Sequence, residues 1–149
     1  MYESILVATD GSDTAERAVD HAVFLAETLA VPLFAISVLE DRTAYDSGIV
    51  DPEEVRERQR SRADDALERV EAAAGESGVH VTTARKRGTP HEEVLDYADE
   101  QGCSMIVVGA QGRSAFREAL LGSTVDALVR LSSKPVLVVG DDGPDRVSP

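Results

Sequence analysis

Five short apolar segments alternate with longer amphipathic segments along the chain. The apolar segments are rich in β-branched residues and span residues 4–9, 32–39, 79–84, 104–109 and 135–140. Their length and composition predict strands that are buried on both faces of a sheet. Strands that alternate with helices in this way form a parallel sheet with right-handed crossovers and helices on both faces.

The first two amphipathic segments carry apolar stripes with helical spacing. The first stripe consists of Ala15, Ala18, Val19, Ala22, Leu25, Ala26 and Leu29. The second helix is predicted to begin at the cap Asp51, with Pro52 at its first position. Its stripe consists of Val55, Ala63, Ala66, Leu67, Val70 and Ala74. The pairs Glu54–Arg58 and Asp65–Arg69 have i,i+4 spacing and are expected on a solvated outer face.

The third and fourth predicted helices are marked mainly by their end signals. Thr89 and Glu92 have the spacing of a capping box, and Pro90 suits the first helical position. Gly102 is expected to end this helix. The fourth helix is predicted to begin near Ser123 and to run to about residue 131.

The predicted fold class is α/β, with one open five-stranded parallel sheet in a Rossmann-like arrangement. The expected strand order is 3-2-1-4-5, so the first and fourth strands are neighbours whose connections leave toward opposite faces. Open α/β sheets bind ligands at this switch point, beyond the carboxyl ends of the strands. Two segments end there: residues 8–14 and residues 109–123.

Length and composition limit the classes of protein to consider. The 149 residues fit one domain with a buried core, and 42% hydrophobic content is typical of a globular protein. No apolar run reaches the roughly 20 residues of a membrane helix, and the N-terminus lacks the features of a secretory signal. A single cysteine, Cys103, excludes an internal disulfide. We therefore expect a cytoplasmic protein with no membrane partner.

The charge is strongly negative, with 28 acidic residues against 15 basic ones and a formal net charge of −13. Such a surface repels nucleic acid, since that binding relies on Lys and Arg at phosphates. Two interpretations stay open. The acidic surface confers solubility alone, or the protein is halophilic and works in a salt-rich cytoplasm that screens the repulsion. The scarcity of lysine, present only at positions 86 and 134, accompanies the acid excess.

The segment from 107 to 129 carries the most specific signal for chemistry. Gly109 and Gly112 flank a predicted turn, and Gly122 precedes a helix start at Ser123 and Thr124. Free N–H groups at a helix N-terminus, with the helix dipole behind them, bind anions such as phosphate. The chain has neither G-x-x-x-x-G-K-[ST] nor G-x-G-x-x-G, so the common mononucleotide and dinucleotide motifs are absent. From these residues alone, a surface loop capped by Ser123 is the alternative.

The spacing Gly109-x2-Gly112-x9-Gly122-Ser123 resembles, in full, the G-2x-G-9x-G-(S/T) signature of the ATP-binding universal stress proteins. The resemblance covers almost the whole chain, including residues 5–26, 87–113 and 133–139. It implies the sheet of the adenine nucleotide alpha hydrolase-like fold, a domain over residues 1–140 and an ATP ligand. AMP and ADP are not distinguished from ATP by the sequence.

The resemblance also implies roles for individual residues. Ala8, Thr9 and Asp10 are expected at the adenosine, although Asp10 also suits a turn or helix cap. Val38 corresponds to the residue that packs on the adenine and bonds it through the backbone. Val108 and Gly109 are expected along the sugar. The remaining expected binding residues, which lie near the phosphates, are Gln111, Gly112, Arg113, Gly122, Ser123, Thr124 and Val125.

Some positions depart from the family pattern. Gln111 replaces a frequent histidine or arginine, which leaves Arg113 as the nearest cation. Because few cations surround the expected phosphates, a bound Mg²⁺ or Mn²⁺ is expected to offset their charge. Asp10 is the one nearby carboxylate that the sequence indicates, so phosphate and water would supply most of the metal ligands.

Catalytic residues are not evident in the sequence. His21, His80 and His91 have no metal-binding spacing, and Cys103 is expected to be a small packing residue. No general base stands at the glycine-rich segment. Three functions stay open: a nucleotide-dependent regulatory or stress-response module, a slow ATPase or other adenine-nucleotide enzyme, and a dimeric interaction protein with a degenerate site. The sequence does not identify the partner that such a module would regulate.

The last predicted strand indicates how the protein assembles. It lies at a sheet edge and is apolar throughout, and an unprotected edge of this kind invites pairing. In keeping with the resemblance, a homodimer is expected through Val136, Leu137, Val138 and Val139. Residues 141–149 are acidic and contain Gly and Pro, which predicts a flexible tail.

Overall fold

In the computed structural model, the described residues are 1–40, 51–110 and 122–140. They form five strands and four helices in strict alternation. The elements are β1 (Ile5–Ala8), α1 (Asp13–Leu29), β2 (Leu33–Leu39), α2 (Pro52–Glu76), β3 (Val81–Arg87), α3 (Pro90–Gln101), β4 (Met105–Gly109), α4 (Ser123–Leu131) and β5 (Val136–Val139). The predicted flexible tail at 141–149 lies outside the described residues.

The strands form one parallel sheet in the order β3-β2-β1-β4-β5, which confirms the predicted fold class and strand order. β1 pairs with β2 on one side and with β4 on the other, so that Ile5 faces both Leu33 and Met105 in register. The three inner strands, β2, β1 and β4, contain most of the buried side chains of the sheet. Their position follows from the need to bury both faces of these strands.

Each face of the sheet has its own core. On one face, α1 and α2 bury residues such as Ala22 and Val70 against Ile5 and Val7. On the other face, α3 and α4 bury Val94 and Leu128 with their neighbours. Because α1 and α4 lie on opposite faces, the chain diverges between β1 and β4, as predicted.

The edge strand β3 differs from the prediction. It extends to Arg87 and contains no buried residue, whereas the sequence predicts a strand over 79–84 that is buried on both faces. It pairs with β2 along all seven residues, which carries the strand through the polar Arg85–Arg87 segment. Because an edge strand has one neighbour and incomplete cover, its outward positions tolerate charge.

Two helix ends also differ from the sequence prediction. The predicted capping box of α3 is wrong, because Thr89 occupies the cap position but its side chain makes no capping hydrogen bond. Leu29 belongs to the apolar stripe that the sequence predicts for α1, but it is 41% exposed. It is the last residue of α1, and Ala30 then turns the chain with a left-handed backbone (φ 57°) toward β2.

In the described part of the chain, the two charge pairs predicted on α2 are not formed. Arg69 donates to Glu16 on α1 at 2.7 Å instead of pairing with Asp65. Arg58 faces a pocket and has no ion pair with Glu54 among the described residues. The cap Asp51 does accept from the N–H of Glu53 at 3.1 Å, as predicted. Helical spacing alone therefore identified neighbours along α2 but not its tertiary partners.

Candidate functional site

A pocket of about 720 Å³ opens at the carboxyl edge of the sheet, where β1 and β4 diverge. Its size falls in the usual range for small-molecule sites. Its lining includes ten of the residues predicted from the sequence: Ala8, Thr9, Asp10, Val38, Val108, Gly109, Gly122, Ser123, Thr124 and Val125. The other three, Gln111, Gly112 and Arg113, lie outside the described residues.

The end of β1 forms a tight turn that is held by its own side chains. Thr9 is buried, and its hydroxyl accepts from the N–H of Gly11 at 3.1 Å. A carboxylate oxygen of Asp10 accepts from the N–H of Ser12 at 2.9 Å. Ser12 in turn caps α1 by accepting from the N–H of Ala15. Asp10 therefore has the turn-forming role that its sequence position suited, and this contact fixes its carboxylate at the pocket.

The end of β4 lies against the first turn of α1. A β-carbon at Gly109 would come within 2.7 Å of the Thr14 carbonyl oxygen, which is closer than real β-carbons approach. The glycine is thus required for the packing of β4 on α1, in addition to its place in the pocket lining. The described residues end one position later, at Ala110, and resume at Gly122.

The start of α4 forms one wall of the pocket. Ser123 is the first residue of α4, as the sequence predicts, and it is not the cap of the alternative interpretation; the cap position is occupied by Gly122. Its N–H donates to the Ala110 carbonyl at 3.2 Å, and its carbonyl accepts from the N–H of Asp126 at 2.9 Å. The N–H groups of Ser123, Thr124 and Val125 lie before the first intrahelical hydrogen bond and have no acceptor within the helix. The helix start therefore directs unpaired donors and a positive dipole end toward the pocket.

The end of β2 forms the floor beside β1. Ile36 and Ser37 are buried, Val38 is half-buried, and Glu40 is exposed at the rim. Glu40 adds a second carboxylate to the lining, so Asp10 is not the single acidic residue that the sequence indicated. This part of the pocket is mostly apolar, which suits a flat aromatic group more than a phosphate.

The N-terminal part of α2 forms a wall that the sequence reasoning missed. Val55, Arg58, Gln59, Arg62 and Ala63 line the pocket at the spacing of one helical face. A signal was present in the sequence, because the apolar stripe of α2 is interrupted between Val55 and Ala63 by polar residues. From α3, Pro90 and Val94 complete the lining on the other side of the sheet.

Groups that could act in metal binding or catalysis are sparse within ranges 1–40, 51–110 and 122–140. No group of three or more His, Cys, Asp or Glu side chains there could hold a metal ion. His21 and His80 are exposed and His91 is half-buried; His80 lies just before β3 and not within it. Cys103 is 1% exposed, and burial raises its pKa, so the neutral thiol is favoured. It is a packing residue, as the sequence predicted.

Comparison with known proteins decides the family. The model of the universal stress protein family matches residues 1–140. The chain belongs to this family. The universal stress protein YxiE of Bacillus subtilis is 35% identical, over 93% of this chain and 99% of its own.

Solved structures of the family share the fold. The structure of protein MJ0577, from Methanocaldococcus jannaschii, is similar with a TM-score of 0.82 and 29% identity, over 96% of this chain and 99% of that one. A universal stress protein solved in complex with cAMP is similar with a TM-score of 0.72 and 26% identity, over 93% of this chain and 97% of that one. Among the helices in the described part of the chain, none has the length and apolar character needed to cross a membrane.

Proposed function

We propose that this universal stress protein is an ATP-binding regulatory module of the stress response. The observation that carries the proposal is the pocket at the β1–β4 switch point, with the open start of α4 on one side and an apolar floor on the other. One end suits phosphate and the other suits a base. A family member solved with cAMP supports an adenine nucleotide as the ligand class. The proposed location is the cytoplasm, where ATP is made.

In the proposed complex, the adenine packs on the end of β2 at Val38, and the ribose lies near Asp10 and Val108. The phosphates lie at the start of α4, where Ser123 and Thr124 add hydroxyl donors to the backbone N–H groups. A glycine at position 122 leaves this path open, since a β-carbon there would meet nothing closer than 4.0 Å. Gly112, Gln111 and Arg113 are proposed to complete the phosphate site.

A divalent cation, Mg²⁺ or Mn²⁺, is proposed to enter together with ATP. The described lining offers the carboxylates Asp10 and Glu40, and Asp10 is already engaged with the Ser12 N–H. These residues fit a shared metal site, in which phosphate and water supply most of the oxygen ligands. They do not fit a tight metal site that forms without the nucleotide.

The protein is further proposed to form a homodimer through β5. This strand pairs with β4 on one side, and Leu137 is 36% exposed. The exposed side chains of Val129 and Leu131 on α4 precede it in the chain. By contrast, the opposite edge strand β3 ends in three basic residues that oppose pairing.

The deciding experiment is to denature the purified protein by heat and to identify any released ligand by mass spectrometry. Calorimetric titration of ligand-free protein with ATP, ADP, AMP and cAMP then measures each affinity. We expect ATP to bind with a Kd in the micromolar range or below. Absence of both retained ligand and measurable binding would contradict the proposal and favour an interaction protein with a degenerate site.

Hydrolysis is measured separately, as release of phosphate from ATP by the same preparation. A regulatory module is expected to release phosphate no faster than a Gly122→Val variant. Turnover that depends on an intact site would instead assign the protein to the adenine-nucleotide enzymes.

A further inference from the structure

The N-terminal part of α2 extends beyond the sheet. Its 25 residues span about 37 Å, whereas the seven residues of β2 span about 23 Å. Arg85 on β3 pairs with Asp64 at 2.7 Å and lies in register with Ser37 near the end of β2. The middle of α2 is therefore level with the carboxyl edge of the sheet, and its earlier turns stand above the pocket.

Arg58 and Arg62 stand on these turns and face the pocket. They are one helical turn apart, and two like charges at this spacing cost the helix a few tenths of a kcal/mol. Neither side chain has a protein partner within residues 1–40, 51–110 and 122–140. Both remain exposed and free to move toward a ligand.

Such a pair is unusual in a chain with a net charge of −13, because acidic partners are abundant. The other Lys and Arg side chains of the described residues do interact with protein groups. The contacts are Arg60–Glu57, Arg69–Glu16, Arg85–Asp64, Arg130–Asp126, Lys134–Asp99, Lys86 over the Tyr97 ring, and Arg17 to the Gly140 carbonyl. Arg56 and Arg87 also have partners. Within residues 1–40, 51–110 and 122–140, the unpaired positive charge of Lys and Arg is thus concentrated on the pocket face of α2.

The pocket has two positive walls as a result. The start of α4 contributes backbone donors on one side, and Arg58 and Arg62 contribute two full charges on another. Helix donors are equivalent to only about half a charge, which does not neutralise a chain of several phosphates. Guanidinium groups make charge-assisted, bidentate bonds to phosphate and thus supply what α4 lacks.

From these observations we propose that Arg58 and Arg62 bind the phosphate chain of the nucleotide from the α2 side and select ligands with several phosphates. This inference rests on the proposed nucleotide site, and it adds an explanation of how that site would distinguish nucleotides by their number of phosphates. ATP is expected to bind more tightly than AMP because the arginines engage phosphates beyond the first. Adenosine, which has no phosphate, is expected to gain nothing from them.

The test compares the double variant Arg58→Gln/Arg62→Gln with the unaltered protein by calorimetry against ATP, AMP and adenosine. We expect ATP affinity to fall at least about tenfold, which is about 1.4 kcal/mol. AMP affinity should fall no more than about threefold, and adenosine affinity should not change. The matched control is Arg56→Gln/Arg60→Gln, which removes two charges from the same helix outside the pocket lining and should leave all three affinities within about twofold.

The outcomes separate this inference from the proposed function. If the unaltered protein binds none of the three ligands, the nucleotide site itself is refuted. If it binds them but the double variant loses ATP and adenosine equally, the arginines contact the base or ribose and the inference is wrong. An equal ATP loss in the control would show a general effect of net charge and would also overturn it. Far-UV circular dichroism checks that both variants retain the helix.

Discussion

The last residue of β4, Gly109, lies so close to Thr14 in α1 that a β-carbon would stand 2.7 Å from the Thr14 carbonyl oxygen. Gly122, thirteen residues later, has no comparable neighbour, because the nearest atom to a β-carbon there would be the Ala110 carbonyl oxygen at 4.0 Å. Glycine is therefore favoured at these two positions of the signature for different physical reasons. The first permits close backbone packing, and the second leaves space in the pocket.

Replacing Gly109 with alanine is expected to destabilise the fold. The added methyl group meets backbone atoms of α1, which cannot rotate away, and overpacking of this kind costs about 1–3 kcal/mol. Urea denaturation followed by circular dichroism measures the loss. The control is Gly75→Ala on α2, where a β-carbon meets nothing within 4 Å and alanine favours the helix by up to about 1 kcal/mol. Equal stabilities for the two variants would contradict the packing role.

Replacing Gly122 with valine is expected to weaken nucleotide binding but not folding. Its backbone (φ −63°, ψ 158°) is accessible to any residue, so the change creates no backbone strain. The branched side chain would enter the proposed phosphate path. We expect ATP affinity to fall at least about tenfold in calorimetry, or about 1.4 kcal/mol. Unchanged affinity would remove the start of α4 from the site.

Lysine at position 138 is expected to prevent the proposed dimer. Charges on an exposed strand edge oppose strand addition, as the basic end of β3 illustrates. Light scattering at micromolar concentration in high salt should show a dimer for the unaltered protein and a monomer for Val138→Lys. A matching change on the other edge, Thr82→Lys on β3, should leave the dimer intact. A Val138→Lys variant that remains dimeric would place the interface elsewhere.

Salt is expected to stabilise the protein. With a net charge of −13, self-repulsion opposes the compact state, and the Debye length falls to about 3 Å at 1 M salt. Between low salt and about 2 M KCl at constant pH, we expect Tm to rise by at least about 2 °C, or about 1 kcal/mol for a domain of this size. A flat or falling Tm would mean that the acidic surface confers solubility alone.

The buried thiol of Cys103 is expected to make stability fall at alkaline pH. Burial raises its pKa in the folded state, so the folded protein holds this proton more tightly than the unfolded chain. Stability is then constant below the unfolded pKa of about 8.5 and decreases as pH rises above it. Urea denaturation from pH 7 to 10 should show a smaller decrease for Cys103→Ala, measured relative to its own value at pH 7. An identical pH profile for both proteins would exclude this contribution.

The sequence by itself determined the architecture and the position of the pocket. The alternation of apolar and amphipathic segments predicts a parallel sheet that is covered by helices on both faces, because each apolar strand must be buried. The spacing of Gly109, Gly112 and Gly122 identified the family. Helix caps such as Asp51 could also be predicted from the sequence, since their hydrogen-bond partners lie only two or three residues away.

The tertiary structure alone decided which residues meet across elements. Arg58 has an acidic residue four positions before it, and only the height of α2 above the sheet places it in the pocket. Arg69 has a similar local neighbour, but Glu16 on α1 lies within reach and pairs with it instead. The contact of Gly109 with Thr14 joins positions 95 residues apart. Such contacts depend on how helices pack against the sheet, and periodicity within one segment carries no information about that packing.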